Sequence, residues 1–577
     1  MIRLFRFLKP YTIPIVAAVL LVFFQSLAEL YLPTLMSDIV NTGIINGDIN
    51  YIVKTGGLML IIATGGATCA IIGGFLSSQI AMGLGRIIRE KIFTHVSTFS
   101  LDEFDKIGTP SLITRNTNDI TQIQNVTFII LRMMIMAPIM CIGAIIMAVS
   151  KDKELAWVIV AIIPVLSTVI IIVASKGFPL FQAIQKKIDK INLVLREGLT
   201  GIRVIRAFNR IDDEKKRFYN ANVDLTETAI KVNRIMSVIM PVMLLVMNYT
   251  TIAVIWFGSI RIEHGYTNIG NMMAFLQYAM QIMFSIMIAT MLFIMIPRAQ
   301  ASAIRINEVL ATIPSIKDVE NIKTYNNKSK KGFLEFKNVS FSYHGSEVPA
   351  IKNISFSAAP GEVTAIIGGT GSGKSTLINL IPRFYDVSSG SIEVDGIDIR
   401  EISQETLRSK ISLVPQKAIL FTGTISDNIR YGKENATDDE VYKVAEIAQA
   451  TEFISTMKDG FNSVIAQGGT NVSGGQKQRL SIARALVAKP EIYLFDDSFS
   501  ALDFKTDAKL RSSLRKETVL STVVIVGQRV ATIMDAERII VLDEGEIAGI
   551  GTHKELYKSC KVYQEIVASQ LSEEEIA

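Results

Sequence analysis

Apolar and polar positions divide this chain into two halves of different kind. Before about residue 315 the apolar residues gather into long uninterrupted runs; after it, short β-rich runs alternate with stretches of helical spacing. Six runs reach the ~20 residues that a helix needs to cross a bilayer, at about 13–36, 56–78, 128–149, 155–175, 236–258 and 270–296. The segments between the second and third runs and between the fourth and fifth keep apolar residues at helical spacing, which predicts membrane helices that continue well past the bilayer. A polar stretch at 317–332 reads as a linker, and the alternation beyond it is that of a parallel α/β sheet. The expected architecture is a membrane α-helical domain over 1–315, with six transmembrane helices and long extensions, a linker at 316–332, and an α/β domain over 333–577. A chain of 577 residues needs more than one core in any case.

Charge orients this arrangement. The segment after the second run carries Arg86, Arg89, Lys91, Lys106 and Arg115, and the segment after the fourth carries Lys186, Lys187, Lys190, Arg196, Arg203, Arg206 and Arg210. The other connections are short and nearly neutral, so the positive-inside rule places both termini, and the α/β domain, in the cytoplasm. Arg3, Arg6 and Lys9 before the first run resemble the flank of a signal peptide. The apolar region is too long for one and no small-residue cleavage site follows, which predicts a retained membrane helix. The net charge of +5 is small for this length and points to no nucleic acid. Cys69, Cys141 and Cys560 are too far apart to suggest a disulfide framework or a metal site. The absence of a transit peptide and a composition rich in Ile, Lys and Asn point to a bacterial plasma membrane.

Chemistry enters at Gly368, Gly369, Thr370, Gly371, Ser372, Gly373, Lys374, Ser375 and Thr376. This Gly-rich run follows an apolar strand and opens into a helix, the context in which backbone N–H groups wrap phosphate. Lys374 is placed to reach the β- and γ-phosphates of ATP and Ser375 to put its hydroxyl on Mg²⁺. The apolar run 492–495 leads into Asp496 and Asp497, a buried strand ending in carboxylates, with Asp496 the Mg²⁺ candidate. Between them, Ser473, Gly474, Gly475 and Gln476 open a helix with bare N–H groups, a second anion cradle. One chain has no evident use for two such cradles; two chains that close each other's sites do.

With these motifs the chain resembles an ABC transporter half of the exporter type, over nearly its whole length. The resemblance identifies 368–376 as the Walker A loop, 492–496 as Walker B and 472–476 as the signature, which here begins with Val472 where the family usually has Leu. It implies that Gln416 is the Q-loop residue that senses Mg²⁺, Tyr343 the aromatic that stacks on adenine, and Asp503 the end of the D-loop 500–503. It also implies that the loops at 108–120 and 197–208 carry coupling helices. The expected fold is then six membrane helices joined to a cytoplasmic α/β P-loop nucleotide-binding domain, with ATP and Mg²⁺ as its ligands. Two positions depart from the family. Asp497 stands where a catalytic Glu is usual, roughly 1.5 Å shorter in reach, and Gln528 stands where the switch His is usual and cannot carry charge or shuttle a proton near neutral pH. Gln467 likewise replaces a frequent Glu. These changes imply a site that binds ATP and hydrolyses it slowly, in a heterodimer where the intact signature serves a different partner chain. Asp working through an extra water, and Gln keeping the phosphate contact, is the alternative.

For the cargo, the membrane helices offer Glu29, Arg132 and a methionine stripe at Met283, Met287, Met291 and Met295, with Met280, Gln277, Tyr278 and Gln281 nearby. Glu29 either attracts cationic amphiphiles or is satisfied by a neighbouring helix. Arg132 is expected to snorkel toward headgroups, and the methionines either pack or present an adaptable surface. The function expected is ATP-driven export of hydrophobic or amphipathic compounds, in contact with membrane lipids. The other readings are a homodimeric carrier of a lipid, peptide or metal chelate, and an ATP-gated membrane regulator.

Overall fold

The structure, a computed structural model, describes residues 1–319 and 331–570. The chain forms two compact units, one of Met1–Ser97 with Pro110–Thr312 and one of Thr98–Thr109 with Ile313–Ala577. Most of the expected linker, including Asn326, Asn327, Lys328 and Lys330, and the acidic end at 571–577 lie outside the described residues.

The first unit is all helical, and its long helices cover the expected spans, the fourth but for Leu155 and the fifth across a break at Val238. They are Thr12–Asp38, Ile49–Val96, a third run over Thr109–Lys151, Ala156–Thr200, the pair Ile211–Ser237 and Ile239–Glu263, and Ile269–Ala311. The second helix, 48 residues long, measures about 70 Å at 1.5 Å per residue, more than twice the ~30 Å hydrocarbon core. The extensions expected from helical spacing are therefore real helix. Where the first, third and sixth long helices meet, small residues allow close approach: Ala144 and Ala148 are fully buried beside Leu30, Phe275 and Tyr278. Met283 and Met287 pack with Leu166, Met243 and Val246, so these two members of the stripe belong to the core; the side chain of Met291 lies outside the described residues. Buried Asp119 accepts from Ser302 at 2.9 Å and from Arg305 at 2.8 Å, tying the third helix to the sixth.

The third helix is irregular. It turns π-helical at Arg115–Asp119 and again at Ile130–Met134, and the first helix does the same at Ile39–Ile44. Such inserts widen the backbone locally and re-aim side chains. The stretch 108–120, expected to be a loop carrying a coupling helix, is mostly the start of this third helix. The separate short helix is Leu101–Ile107, which ends at Gly108 with a positive φ of 80° and packs in the second unit. The sequence expectation missed it because its capping box, Ser100 and Glu103, lies upstream of the matched motif.

The second unit is built on two sheets. A six-stranded sheet has the order β12-β11-β3-β10-β9-β6, parallel except for β12, and a four-stranded antiparallel sheet has the order β2-β1-β4-β5. The parallel strands are β3 (Val363–Gly368), β6 (Ile411–Val414), β9 (Ile492–Asp496), β10 (Thr522–Val526) and β11 (Arg538–Asp543), with β12 (Glu546–Gly551) at the edge. The antiparallel sheet comprises β1 (Leu334–Phe341), β2 (Ile351–Ala358), β4 (Ser389–Val394) and β5 (Ile397–Asp398), and a short ribbon pairs β7 (Gly423–Thr424) with β8 (Val464–Ile465). Period-2 alternation sends the two faces of the large sheet into different cores. Ile492, Leu494, Val524, Val526, Ile540 and Leu542 face the small sheet, while Tyr493, Phe495, Val523 and Ile525 face the helices beyond. Burial on both sides explains why these strands read as unbroken apolar runs.

Candidate functional site

The site forms at the C-terminal ends of β3 and β9, where strands stop and loops begin. β3 ends at Gly368, where an added Cβ would stand 2.1 Å from the Leu542 carbonyl, so no side chain fits. The loop then turns through Gly371 at φ 85° and Gly373 at φ 95°, a region that favours glycine. An added Cβ at Gly369 or Gly371 would meet nothing, which leaves an open concavity of backbone N–H groups suited to phosphate. Lys374 opens the following helix, Lys374–Leu380, and its ammonium donates back to the Gly368 carbonyl at 2.9 Å and the Gly369 carbonyl at 2.6 Å. Burial pushes that ammonium below its ordinary value, against the pull of Asp497 and Asp496.

Two adjacent carboxylates close the other side. Asp496 and Asp497 are each 8% exposed, and among the described residues neither forms an ion pair. Burial raises the Asp496 carboxyl above its ordinary value, and the neighbouring Asp497 adds to the rise, partly offset by the Ser375 hydrogen bond and by Lys374. Ser375 donates to Asp496 at 3.2 Å, and Gln416 donates its amide to Asp497 at 3.3 Å, which leaves the Gln416 amide oxygen unused by that bond. A hard, oxygen-only donor set short of positive charge fits Mg²⁺, which takes few protein ligands and fills the rest with phosphate and water. Asp496, Ser375 and Gln416 are the residues that would hold it.

The remaining expected residues divide in two. Tyr343 is 37% exposed, its hydroxyl paired with Thr376 at 2.9 Å and its ring edge-on to Phe341 and Tyr385, so it stands over the loop with a face open for a base. Asp497 has a left-handed backbone, φ 45°, and its N–H donates to the Val526 carbonyl at 2.9 Å. Ser473 caps the helix Gly474–Val487 in a reciprocal box with Gln476, and Gly474 has open space where a Cβ would go. Gly475 lies against the D-loop, its missing Cβ 3.1 Å from the Ala501 carbonyl. Among the described residues no hydrogen bond links this signature turn to Gly368–Thr376 of the same chain. Asp503 caps its own helix, accepting from the Thr506 N–H at 2.9 Å. Gln528 is exposed, and the structure assigns its side chain no partner among the described residues.

Sequence reading missed Gln570. Its amide donates to the Gln528 carbonyl at 2.8 Å, and its oxygen accepts from the Val530 N–H at 2.8 Å, bracketing the switch position from both sides. No motif marks it, because it reaches the site only after the terminal helix Lys561–Ala568 folds back onto Val530 and Ile533 through Tyr563 and Val567.

Residues 15–287 match the family model of the ABC transporter transmembrane region, and residues 351–500 match that described as ABC transporter. An uncharacterized ABC transporter ATP-binding protein of Mycobacterium tuberculosis is 41% identical over 98% of this chain and 97% of its own. One of Bacillus subtilis is 38% identical over 98% of both chains. The ATP-dependent lipid A-core flippase of Vibrio parahaemolyticus is 27% identical over 99% of this chain and 98% of its own. A solved bacterial Atm1-family ABC exporter with ATP bound shares the fold at a TM-score of 0.80, covering 97% of this chain and 98% of its own at 24% identity. The chain belongs to the ABC transporters: among the described residues six helices are long and apolar enough to cross a membrane, they are joined to an ATP-binding domain, and the fold is that of a solved exporter.

Proposed function

We propose that this chain is the slow-site half of a heterodimeric exporter of hydrophobic or amphipathic compounds. It binds MgATP tightly in its own P-loop and lends its signature turn to the faster site of a different partner chain. The observation that carries the reading is the pairing of intact binding groups with altered hydrolytic ones. The loop, Lys374, Ser375, Asp496, Gln416 and Tyr343 are all in place for ATP. At the hydrolytic positions stand Asp497, whose backbone is pinned to Val526 and cannot advance to make up lost reach, and Gln528, which shuttles no proton. A general base must approach its water to about 2.6–3.2 Å. A carboxylate one methylene shorter on a fixed backbone holds that water less closely.

In this reading, ATP between the P-loop of one chain and the signature of the other draws the two nucleotide domains together, because the closed pair binds it better than the open pair. Closure switches the membrane cavity, and hydrolysis at the partner's site resets it. Both termini lie in the cytoplasm of a bacterial cell. The test is steady-state MgATPase activity of the chain alone in lipid nanodiscs, with ATP binding measured in parallel. Tight binding with almost no turnover is expected. Turnover of about one per second or more, ordinary for an enzyme, would replace this account with a self-sufficient homodimer.

A further inference from the structure

Arg132 sits in the π-helical turn Ile130–Met134 of the third helix, where that helix meets the first, second and sixth. Its neighbour Leu131 packs with Ala18, Leu76 and Ile80. The guanidinium itself lies against Gly74, where an added Cβ would stand 3.1 Å from Nη1 and 3.7 Å from Cζ. The bare backbone at Gly74 is what allows a flat cation to rest on the second helix. Gly73, one residue before, faces Leu21 of the first helix, where an added Cβ would stand 3.5 Å from the Leu21 Cβ. Arg132 makes no hydrogen bond or ion pair among the described residues.

Depth separates the explanations. The Gly73–Leu21 contact sets the guanidinium level with Leu21, roughly 14 Å along the first helix from its start at Thr12. The opposite end at Asp38 is roughly 25 Å away by the same rise. An arginine side chain extends roughly 7 Å from its Cα. The guanidinium moreover lies toward Gly74 rather than toward Ile80, hence away from the nearer, Lys9 end. Snorkelling to headgroups, the sequence expectation, is therefore the wrong geometry for this side chain. No acidic residue stands between Asp119 and Asp152, between Asp48 and Glu90, or between Glu263 and Glu308. The first helix offers only Glu29 and Asp38. Glu29 lies roughly 12 Å further along than Leu21, and its carboxylate accepts from Gln25 at 2.9 Å. A guanidinium at mid-depth with no anion of its own chain requires one from elsewhere.

We propose that Arg132, seated on Gly74, is the anion-binding group of the cargo site, and that the cargo is an amphiphile carrying a carboxylate or phosphate. The planar fork of arginine matches both oxyanions through two parallel hydrogen bonds, and a low-dielectric setting strengthens them. This rests on reading the chain as an exporter of amphiphiles, and the two ideas are tested by separate readouts.

Binding tests the site. The full chain in phosphatidylcholine nanodiscs is titrated with fluorescent lysophosphatidate and with the matched uncharged monoacylglycerol. The wild type should bind the anionic probe at least about tenfold more tightly than the neutral one. Arg132→Gln should erase that preference while leaving the neutral probe unchanged. Arg132→Lys should keep part of it, and Gly74→Ala, which crowds the guanidinium without removing it, should weaken the anionic probe alone. ATP affinity of each variant reports on folding. Equal binding of the two probes by the wild type, or a preference that survives Arg132→Gln, overturns the assignment. Translocation of the same probes in proteoliposomes tests the exporter reading. Anion-selective binding without ATP-dependent movement would retain the site and reject export.

Discussion

At the scale of single residues, the ATP site separates groups that hold from groups that react. Lys374 and Ser375 are anchored by the loop and by Asp496, while Gln528 is exposed and fixed only through its backbone. The double variant Asp497→Glu, Gln528→His restores the longer carboxylate and a titratable imidazole. General acid–base groups typically contribute 10²–10⁴-fold, so turnover of the chain alone should rise at least about tenfold with ATP affinity nearly unchanged, measured as kcat against KM. Gln570 offers a finer probe. Gln570→Glu keeps the acceptor for the Val530 N–H but loses the donor to the Gln528 carbonyl, whereas Gln570→Ala loses both. If the bracket positions the switch, activity of the assembled transporter should fall stepwise from Gln to Glu to Ala, in kcat rather than KM. A merely structural terminal helix would lower KM and kcat without that order.

At the scale of elements, the short helix Leu101–Ile107 shows how a few hydrogen bonds define a small part. Glu103, 5% exposed, accepts from the Ser100 N–H at 2.7 Å, the Ser100 hydroxyl at 2.6 Å and the Ser315 N–H at 3.0 Å. Tyr385, whose ring packs edge-on to Tyr343, donates to Asp105 of the same helix at 3.0 Å. Burial alone would raise the Glu103 carboxyl, but the hydrogen bonds from Ser100 and Ser315 more than offset it and hold it below its ordinary value. A lowered carboxyl stabilises the fold above its unfolded pKa of about 4.3 and loses that contribution as pH falls through the lower folded value. Glu103→Ala should cost about 1–3 kcal/mol, the usual range for a lost cap and a stranded buried donor. Hydrogen exchange at Ser100 and Ser315 should quicken in the variant at neutral pH, and in the wild type only in acid. Such parts were hard to read from the chain. Parallel strands buried on both faces and helices of bilayer length announce themselves by unbroken apolar runs, and the P-loop by glycines that a turn requires. The π-helical turns, the Glu103 cap and the Gln570 bracket arise from tertiary contacts between distant segments, and no local pattern of residues records them.

At the scale of the whole molecule, the proposed heterodimer gives one chain half of each of two ATP sites and makes the two halves unequal. The signature turn is a free-standing cradle: Gly474 has open space where a Cβ would go, and Ser473 is committed only to capping its own helix. Gly474→Asp therefore fits within this chain and acts only across the interface, where its carboxylate would face the γ-phosphate bound by the partner. Removing one donor from a charge-stabilising cradle costs about 10²–10³ in rate, and adding a like charge should cost no less. Lys374→Ala, in contrast, should empty this chain's own site, the slow one in the proposed reading. In the proposed heterodimer Gly474→Asp should abolish ATPase activity, while Lys374→Ala should leave a substantial fraction of it, because turnover would belong to the site the signature completes. In a homodimer each substitution damages both sites alike, and the two variants should be equally dead. Steady-state ATPase of the two variants, each purified with whatever half it assembles with, thus reads the asymmetry of the machine from either side of one interface.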